Sequence, residues 1–210
     1  MTPTRKPLTP DDIQAAGRLS EEAGWNQTVQ DWLLMIEHGH AVGLVEPDGT
    51  LAATALVFPF EHRVAWISMV LVTPARRRQG LATRLLGHCL THCKQAGITP
   101  VLDATEAGRR VYVPLGFADL YAISRWERAP SIHTAVPVSP QAAPAIRPMT
   151  PADLDGLATW DCARFGASRA SVLHHCWQTA PHLASIAEEA GGTLAGYLLG
   201  RPGHRATQLG

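Results

Sequence analysis

The sequence predicts an α+β fold in which helices pack on a mixed α/β sheet, and three observations lead to that class. The first is the stretch Trp66 to Ala96, which reads as a buried strand, a basic glycine-containing loop and a long amphipathic helix in direct succession. The second is the order of the segments up to about residue 127: strand, two helices, three strands, helix, strand, helix and a last strand region. The third is a recurrence, since the opening of the chain returns in altered form after a proline-rich stretch.

Arg5 to Leu8 is a short candidate strand. Thr9 is suited to N-cap the next helix, with Pro10 at its first helical position. Ile13, Ala16 and Leu19 carry that helix to about Ala23, and Gly24 ends it. A second helix runs from Thr28 to His38 on Val29, Trp32, Leu33 and Ile36. Ala41–Val45 and Leu51–Phe60 flank Pro47-Asp48-Gly49-Thr50, which is a hairpin with a glycine turn. Glu61-His62-Arg63 leads into Trp66–Val72, whose length and content of Val and Ile mark a buried strand. Leu81, Ala82, Leu85, Leu86, Cys89, Leu90 and Cys93 then form one apolar helical stripe, closed by Ala96-Gly97. Thr99 to Ala104 reads as a strand and Gly108 to Leu115 as a short helix broken at Pro114 and Gly116. Phe117 to Trp126 is expected to supply the last one or two strands.

Chemistry concentrates at the loop Arg76-Arg77-Arg78-Gln79-Gly80. A helix start leaves backbone N–H groups without partners, and the helix dipole adds partial positive charge there. Gly80 has no Cβ to hold a ligand away, and arginines present forked donors suited to phosphate. The combination predicts an anion site at a helix N-terminus. Neither a P-loop Gly-Lys-Ser/Thr nor a GxGxxG is present, so the usual nucleotide signatures are excluded.

Arg77-Arg78-Gln79-Gly80-Leu81-Ala82 also fits the pattern Arg/Gln-x-x-Gly-x-Gly/Ala. On this motif, its place between strand and helix, and the element order from Arg5 to about Glu127, the chain resembles the GNAT superfamily of N-acetyltransferases. The resemblance implies acetyl-CoA as acyl donor. Leu71 and Val72 would pair, backbone to backbone, with the pantetheine arm. Arg77, Arg78, Gln79, Gly80, Leu81 and Ala82 would hold the pyrophosphate, with the Thr83 hydroxyl as an extra donor. Tyr112-Val113-Pro114-Leu115-Gly116-Phe117 resembles the family's Tyr-x-x-x-Gly-Phe segment and implies that Tyr112 protonates the departing CoA thiolate. A phenol suits that task because it is still protonated at neutral pH.

By the same resemblance, Trp25 and Asn26, in the link between the first two helices, are candidates to cover the acceptor substrate. The alternative for Trp25 is packing between helices. Asp103 either faces the substrate or caps the next helix. The base that deprotonates the amine has no clear signature: Glu61, His62 and a water chain are the candidates. The implied reaction is direct attack of a primary amine on the acetyl thioester in a ternary complex, with the amine on a small molecule or a peptide. The alternative is a GNAT-like acyl-CoA binding or regulatory protein without turnover.

Two units are expected, 1–128 and 146–210, joined by a linker over 129–145 with Pro130, Pro137, Pro140 and Pro144. Lys6-Pro7-Leu8-Thr9-Pro10-Asp11-Asp12-Ile13 returns as Arg147-Pro148-Met149-Thr150-Pro151-Ala152-Asp153-Leu154, and Gly49-Thr50-Leu51-Ala52 as Gly192-Thr193-Leu194-Ala195. His62-Arg63 returns as His204-Arg205. The second unit therefore reads as the front of a second GNAT-like domain, with helices near 152–165 and 169–179 and a hairpin, ending before any equivalent of the Arg77–Ala82 loop. Its unpaired strand edges predict docking on the first unit or on a partner chain, a homodimer being one such arrangement. Balanced charge (18 Lys and Arg against 18 Asp and Glu) argues against a nucleic-acid partner. The absence of an apolar leader or membrane-length run, with only four cysteines, predicts a cytoplasmic protein without membrane contact. His88-Cys89-x-x-His92-Cys93 lies on one helix and cannot wrap a tetrahedral metal, so no metal is expected.

Overall fold

The computed structural model describes residues 2–61, 63–128 and 144–210. Residues 129–143 of the expected linker, and the base candidate His62, lie outside them. The first unit is a five-stranded sheet in sequence order: β1 (Thr4–Pro7), β2 (His40–Val45), β3 (Leu51–Phe60), β4 (Val64–Val72) and β5 (Thr99–Val101). Pairing is antiparallel up to β4 and parallel between β4 and β5. The helices α1 (Ile13–Glu22) and α2 (Val29–His38) cover one face, α3 (Leu81–Ala96) covers the other, and α4 (Glu106–Tyr112) follows β5.

Local chemistry sets the helix ends. Thr9 opens a 3₁₀ turn (Pro10–Asp12) ahead of α1, and the Asp12 carboxylate accepts the Thr9 N–H at 3.0 Å. Thr28 and Asp31 form a reciprocal capping box on α2. Gly80 and Gly97, at φ 76° and 67°, bracket α3 in the left-handed region that favours glycine. Leu85, Leu86, Cys89 and Cys93 are buried against Val42, Leu44, Val57 and Ile67 of the sheet, while Leu19 and Trp32 join Leu56, Met69 and Leu71 on the opposite face. Most of β3 is buried on both faces, which explains its near-continuous apolar run.

Two strand expectations fail: the strand expected over Thr99 to Ala104 stops at Val101, and the one expected after it does not form. Residues 117–126 form no strand: Leu120, Tyr121, Ile123 and Trp126 are 79%, 75%, 62% and 92% exposed. A β-prone sequence becomes a strand only where an edge receives it, and β5 has just three paired residues.

After the linker come β6 (Ala145–Pro148), α5 (Leu154–Phe165), α6 (Ala170–Thr179), β7 (Ser185–Glu188) and β8 (Leu194–Leu198), the strands forming an antiparallel sheet. Met149, Leu157, Leu173 and Ile186 make its core. The pair β9 (Gly200–Arg201) and β10 (Gln208–Leu209) closes the chain. Local contacts of the first unit recur here. Lys6–Asp12 at 2.7 Å has its counterpart in Arg147–Asp153 at 2.7 Å, and the turn bond Glu46 N–H to Thr50 O in Glu189 N–H to Thr193 O.

The second unit docks on the first within the same chain. Arg201 pairs with Asp31 at 2.6 Å, with His175 at 3.6 Å from the same carboxylate. Burial alone would raise the Asp31 carboxyl, but His175, the Thr28 amide and Arg201 together hold it below its usual value. A carboxyl held low in the folded state stabilises above its unfolded pKa, and that contribution is lost as pH falls through the lowered value. Asp31→Asn should therefore unfold about 2 kcal/mol more easily in urea at pH 7. The gap should close as the pH drops below about 4, and a gap that ignores pH would refute the assignment.

Candidate active site

The two central strands do not stay together. β4 and β5 pair only at Val64↔Thr99, Ala65↔Pro100 and Trp66↔Val101. From Ile67 to Val72 the β4 edge on that side has no partner strand. Six residues of open edge span about 20 Å, a wedge that widens toward α3. Backbone N–H and C=O groups along such an edge require partners, and an extended amide-bearing arm can supply them.

A β-bulge interrupts β4 within this edge. Thr54 pairs with Leu71 but Leu56 with Ser68, so β4 carries one extra residue. Met69 absorbs it at φ 51°, and the buried Thr54 hydroxyl donates to its carbonyl at 2.8 Å. The side-chain alternation flips at this point. Ala65 and Ile67 face α3, whereas Met69 and Leu71 face α1 and α2. Thr54→Val keeps the shape but removes the donor, and a melting curve should show a loss of about 1–3 kcal/mol.

At its wide end the wedge meets the basic loop. Arg77 donates from Nε to the Val72 carbonyl at 3.1 Å, and Gln79 from its side-chain amide to Ala75 O at 3.3 Å, so both tie the loop to itself and to the strand end. Arg76 pairs with Glu46 at 2.9 Å, without the alignment of a hydrogen bond. Arg78 sits at φ 59° and is exposed, with no ion pair among the described residues. The first helical bond of α3 is Arg84 N–H to Gly80 O, at 3.0 Å. Among the described residues, the amides of 78–83 find no acceptor. Alternating positive φ at Arg78 and Gly80 makes the kind of backbone concavity that receives anions. Leu81 is buried beneath it, so the loop offers its backbone rather than that side chain, while Ala82 and Thr83 occupy the first turn.

Tyr112 ends α4 and packs on the α3-side core that Val70 and Val72 of β4 also join. Burial pushes its phenol above the ordinary value, so it stays protonated at neutral pH. Its hydroxyl makes no hydrogen bond among the described residues. Gly108 makes room for the ring: a Cβ there would stand 2.9 Å from the Tyr112 ring. The close approach of Gly108 to Tyr112 and the bulge at Met69 are set by the folded structure and were not expected from the sequence.

The expected acceptor residues are placed elsewhere. The Asn26 amide donates to Ala206 O at 2.7 Å, and its oxygen accepts the N–H groups of Arg205 and Ala206. Trp25 packs with the α1–α2 core and lies beside His204 and Arg205. The chain's own tail thus occupies the link where an acceptor was expected. Glu61 sits exposed at φ 56° in the β3–β4 turn, beyond the zipped end of β4 and β5, so the fold does not bring it to the open edge. Asp103 does not cap α4, a role taken by the Thr105 hydroxyl. Instead it accepts the Trp66 indole N–H at 3.2 Å, at the apex of the wedge.

His88 and His92 lie against His40, with 3.0 Å between the Nε2 atoms of His40 and His88, while Cys89 and Cys93 turn into the core. Burial pushes the Cys89 thiol up to about 12, which makes it inert. No group of three His, Cys, Asp or Glu among the described residues could hold a metal ion. An open cleft of about 510 Å³ between α2 and α6, lined by Leu33, Glu37, His38, His174 and His175, lies at the junction of the two units and not at the wedge. No helix among the described residues is long and apolar enough to cross a membrane.

Known structures share this architecture. A Pyrococcus horikoshii protein provisionally assigned as an acetyltransferase aligns over 94% of this chain and 67% of its own, at 18% identity and TM-score 0.66. A Trypanosoma brucei acetyltransferase aligns over 60% of this chain and 99% of its own, at 18% identity and TM-score 0.50. The ribosomal-protein-S18-alanine N-acetyltransferase of Escherichia coli aligns over 56% and 79%, at 22% identity and TM-score 0.50. At these identities the likeness is one of fold. No curated protein sequence matches the chain. The model of the acetyltransferase (GNAT) family matches residues 10–117, slightly more than half of the sequence. Together with the split sheet and the amide-lined loop, this match places the chain in the GNAT acetyltransferase family.

Proposed function

We propose that the first unit transfers an acetyl group from acetyl-CoA to a primary amine by direct attack in a ternary complex. The observation that carries the proposal is the unpaired β4 edge, Ile67 to Val72, running into the free amides of 78–83. In this reading the backbone of Leu71 and Val72 pairs with the pantetheine arm. Arg77, Arg78, Gln79, Gly80, Leu81, Ala82 and Thr83 surround the pyrophosphate through loop amides, positive charge and the Thr83 hydroxyl. An N–H near the Met69 bulge polarises the acyl oxygen, which accumulates negative charge as the amine adds. The C–N bond forms, the C–S bond breaks, and the sulfur takes its proton from Tyr112. The proton lost by the amine passes to solvent.

The second unit is read as a GNAT-like repeat of the first, which the recurring Asp12 and Asp153 contacts support. A cytoplasmic location suits the four free cysteines of the chain, two in each unit. One observation favours the non-catalytic reading: the tail covers Asn26 and Trp25. Calorimetric titration of acetyl-CoA into the full chain tests the proposal, with one site per chain and micromolar affinity expected. No heat, together with no displacement of a fluorescent CoA analogue, would reject it. Binding without acetylation of any amine would favour the regulatory alternative.

A further inference from the structure

With the tail seated on Asn26, an acceptor must be sought where the wedge closes. Trp66 is the last β4 residue paired with β5, and Asp103 stands two residues beyond its partner Val101. The Trp66–Asp103 bond therefore spans the apex of the wedge, the end farthest from Gly80 along the open edge. An arm entering at Gly80 delivers its acyl end toward that apex.

Two more rings meet Trp66 there. Phe60 of β3 lies edge-on at 6.1 Å between centroids, and Phe165, from the second unit, stands 6.1 Å from Trp66 and 5.3 Å from Phe60. Phe165 is held in place from several sides. Gly166 ends α5 at φ 88°, and Arg63 of the first unit donates to its carbonyl at 2.8 Å. Arg169 lies over the Phe165 ring at 4.3 Å, with its charge balanced by two bonds to Asp161 at 2.9 and 2.6 Å. Asp103 differs: it is exposed, its one bond is to a neutral indole, and it has no ion pair among the described residues.

We infer that Phe165 of the second unit completes, with Phe60, Trp66 and Asp103, an acceptor pocket for a monoamine on an apolar or aromatic frame. The inference rests on the acetyltransferase reading above. The three rings bury the frame. The free carboxylate oxygen and the indole face receive the ammonium before it loses its proton. A carboxylate next to the amine meets repulsion from Asp103, so amino acids are disfavoured against the corresponding amines. The second unit then serves as a wall of the first unit's site.

A matched pair tests this: 2-phenylethylamine and phenylalanine, which differ by one carboxylate, assayed with the full chain and saturating acetyl-CoA. The amine should exceed the amino acid in kcat/KM by about 30-fold, or about 2 kcal/mol. Phe165→Ala should raise KM for 2-phenylethylamine about tenfold, with kcat within about twofold and acetyl-CoA affinity unchanged. Asp103→Asn, at an exposed position where folding is not at stake, should erase most of the discrimination between the pair. The inference is overturned if phenylalanine matches the amine, or if Asp103→Asn leaves the discrimination intact. It is also overturned if Phe165→Ala either changes nothing or lowers kcat and acetyl-CoA affinity together, as loss of packing would. Acetyl-CoA binding with no acetylation of 2-phenylethylamine rejects this pocket alone, whereas absence of acetyl-CoA binding rejects the acetyltransferase reading itself.

Discussion

Gly80→Glu should weaken acetyl-CoA binding about 100-fold while leaving the protein folded. The position has two properties that make the test sharp. A Cβ built there meets nothing within 4 Å, so the new side chain enters the space in front of the α3 amides and not the core. Its carboxylate then stands where the pyrophosphate is proposed to lie. Two unit charges of like sign 4 Å apart repel by about 4 kcal/mol at an effective dielectric of 20. Solvent screening at an exposed loop reduces that figure toward about 3 kcal/mol, which is about 100-fold in affinity. The substitution also strains a residue at φ 76°, by about 1–2 kcal/mol for a side chain forced into the left-handed region. Gly80→Asn separates the two effects, because Asn tolerates that conformation and carries no charge. Calorimetry should find Asn close to wild type and Glu without measurable heat at ordinary concentrations. Equal affinity in all three proteins would remove the loop from the donor site.

Tyr112→Phe should lower kcat by about 10²–10⁴ while acetyl-CoA still binds with near wild-type affinity. The ring fills the same space in both proteins, against the α3-side core and over Gly108, so only the hydroxyl is lost. Burial raises the phenol above its ordinary value of 10. A group whose pKa is raised remains protonated below that value, so wild-type kcat should show no loss attributable to Tyr112 between pH 6 and about 9. A basic limb should appear above about pH 10, and the Phe variant should lack it. Single-turnover measurements keep product release from hiding the chemical step. A kcat within about twofold of wild type would transfer the acid role to another group or to water. Absence of turnover in either protein, with acetyl-CoA bound, would identify a binding or regulatory protein.

The division between what could be read in advance and what could not follows the range of the interactions. Capping by Thr9 and Thr28, the α3 stripe from Leu81 to Cys93, and the glycine that opens that helix are set by residues within a turn or two of each other. The strand–loop–helix unit from Val64 to Ala96 was legible for the same reason. So were the helices α5 and α6, whose apolar spacing does not depend on distant partners.

Other features depend on segments far apart in the chain. Residues 117–126 have strand composition but meet no edge, because β5 pairs through three residues and then leaves β4. Asn26 had the character of a substrate ligand, yet its amide is satisfied by Ala206, 180 positions away. The Met69 bulge has no local signature, since an extra residue in β4 exists only relative to the register of β3.

The sequence by itself determined the acetyltransferase family and the strand, basic loop and helix from Trp66 to Ala96, since motif, capping and periodicity are properties of neighbouring residues. Only the tertiary structure decided where β4 and β5 part, which helix link the tail covers, and that Phe165 stands beside Trp66. Those are pairings between distant segments, and they are chosen by which edges, charges and rings remain unsatisfied once the local elements have formed.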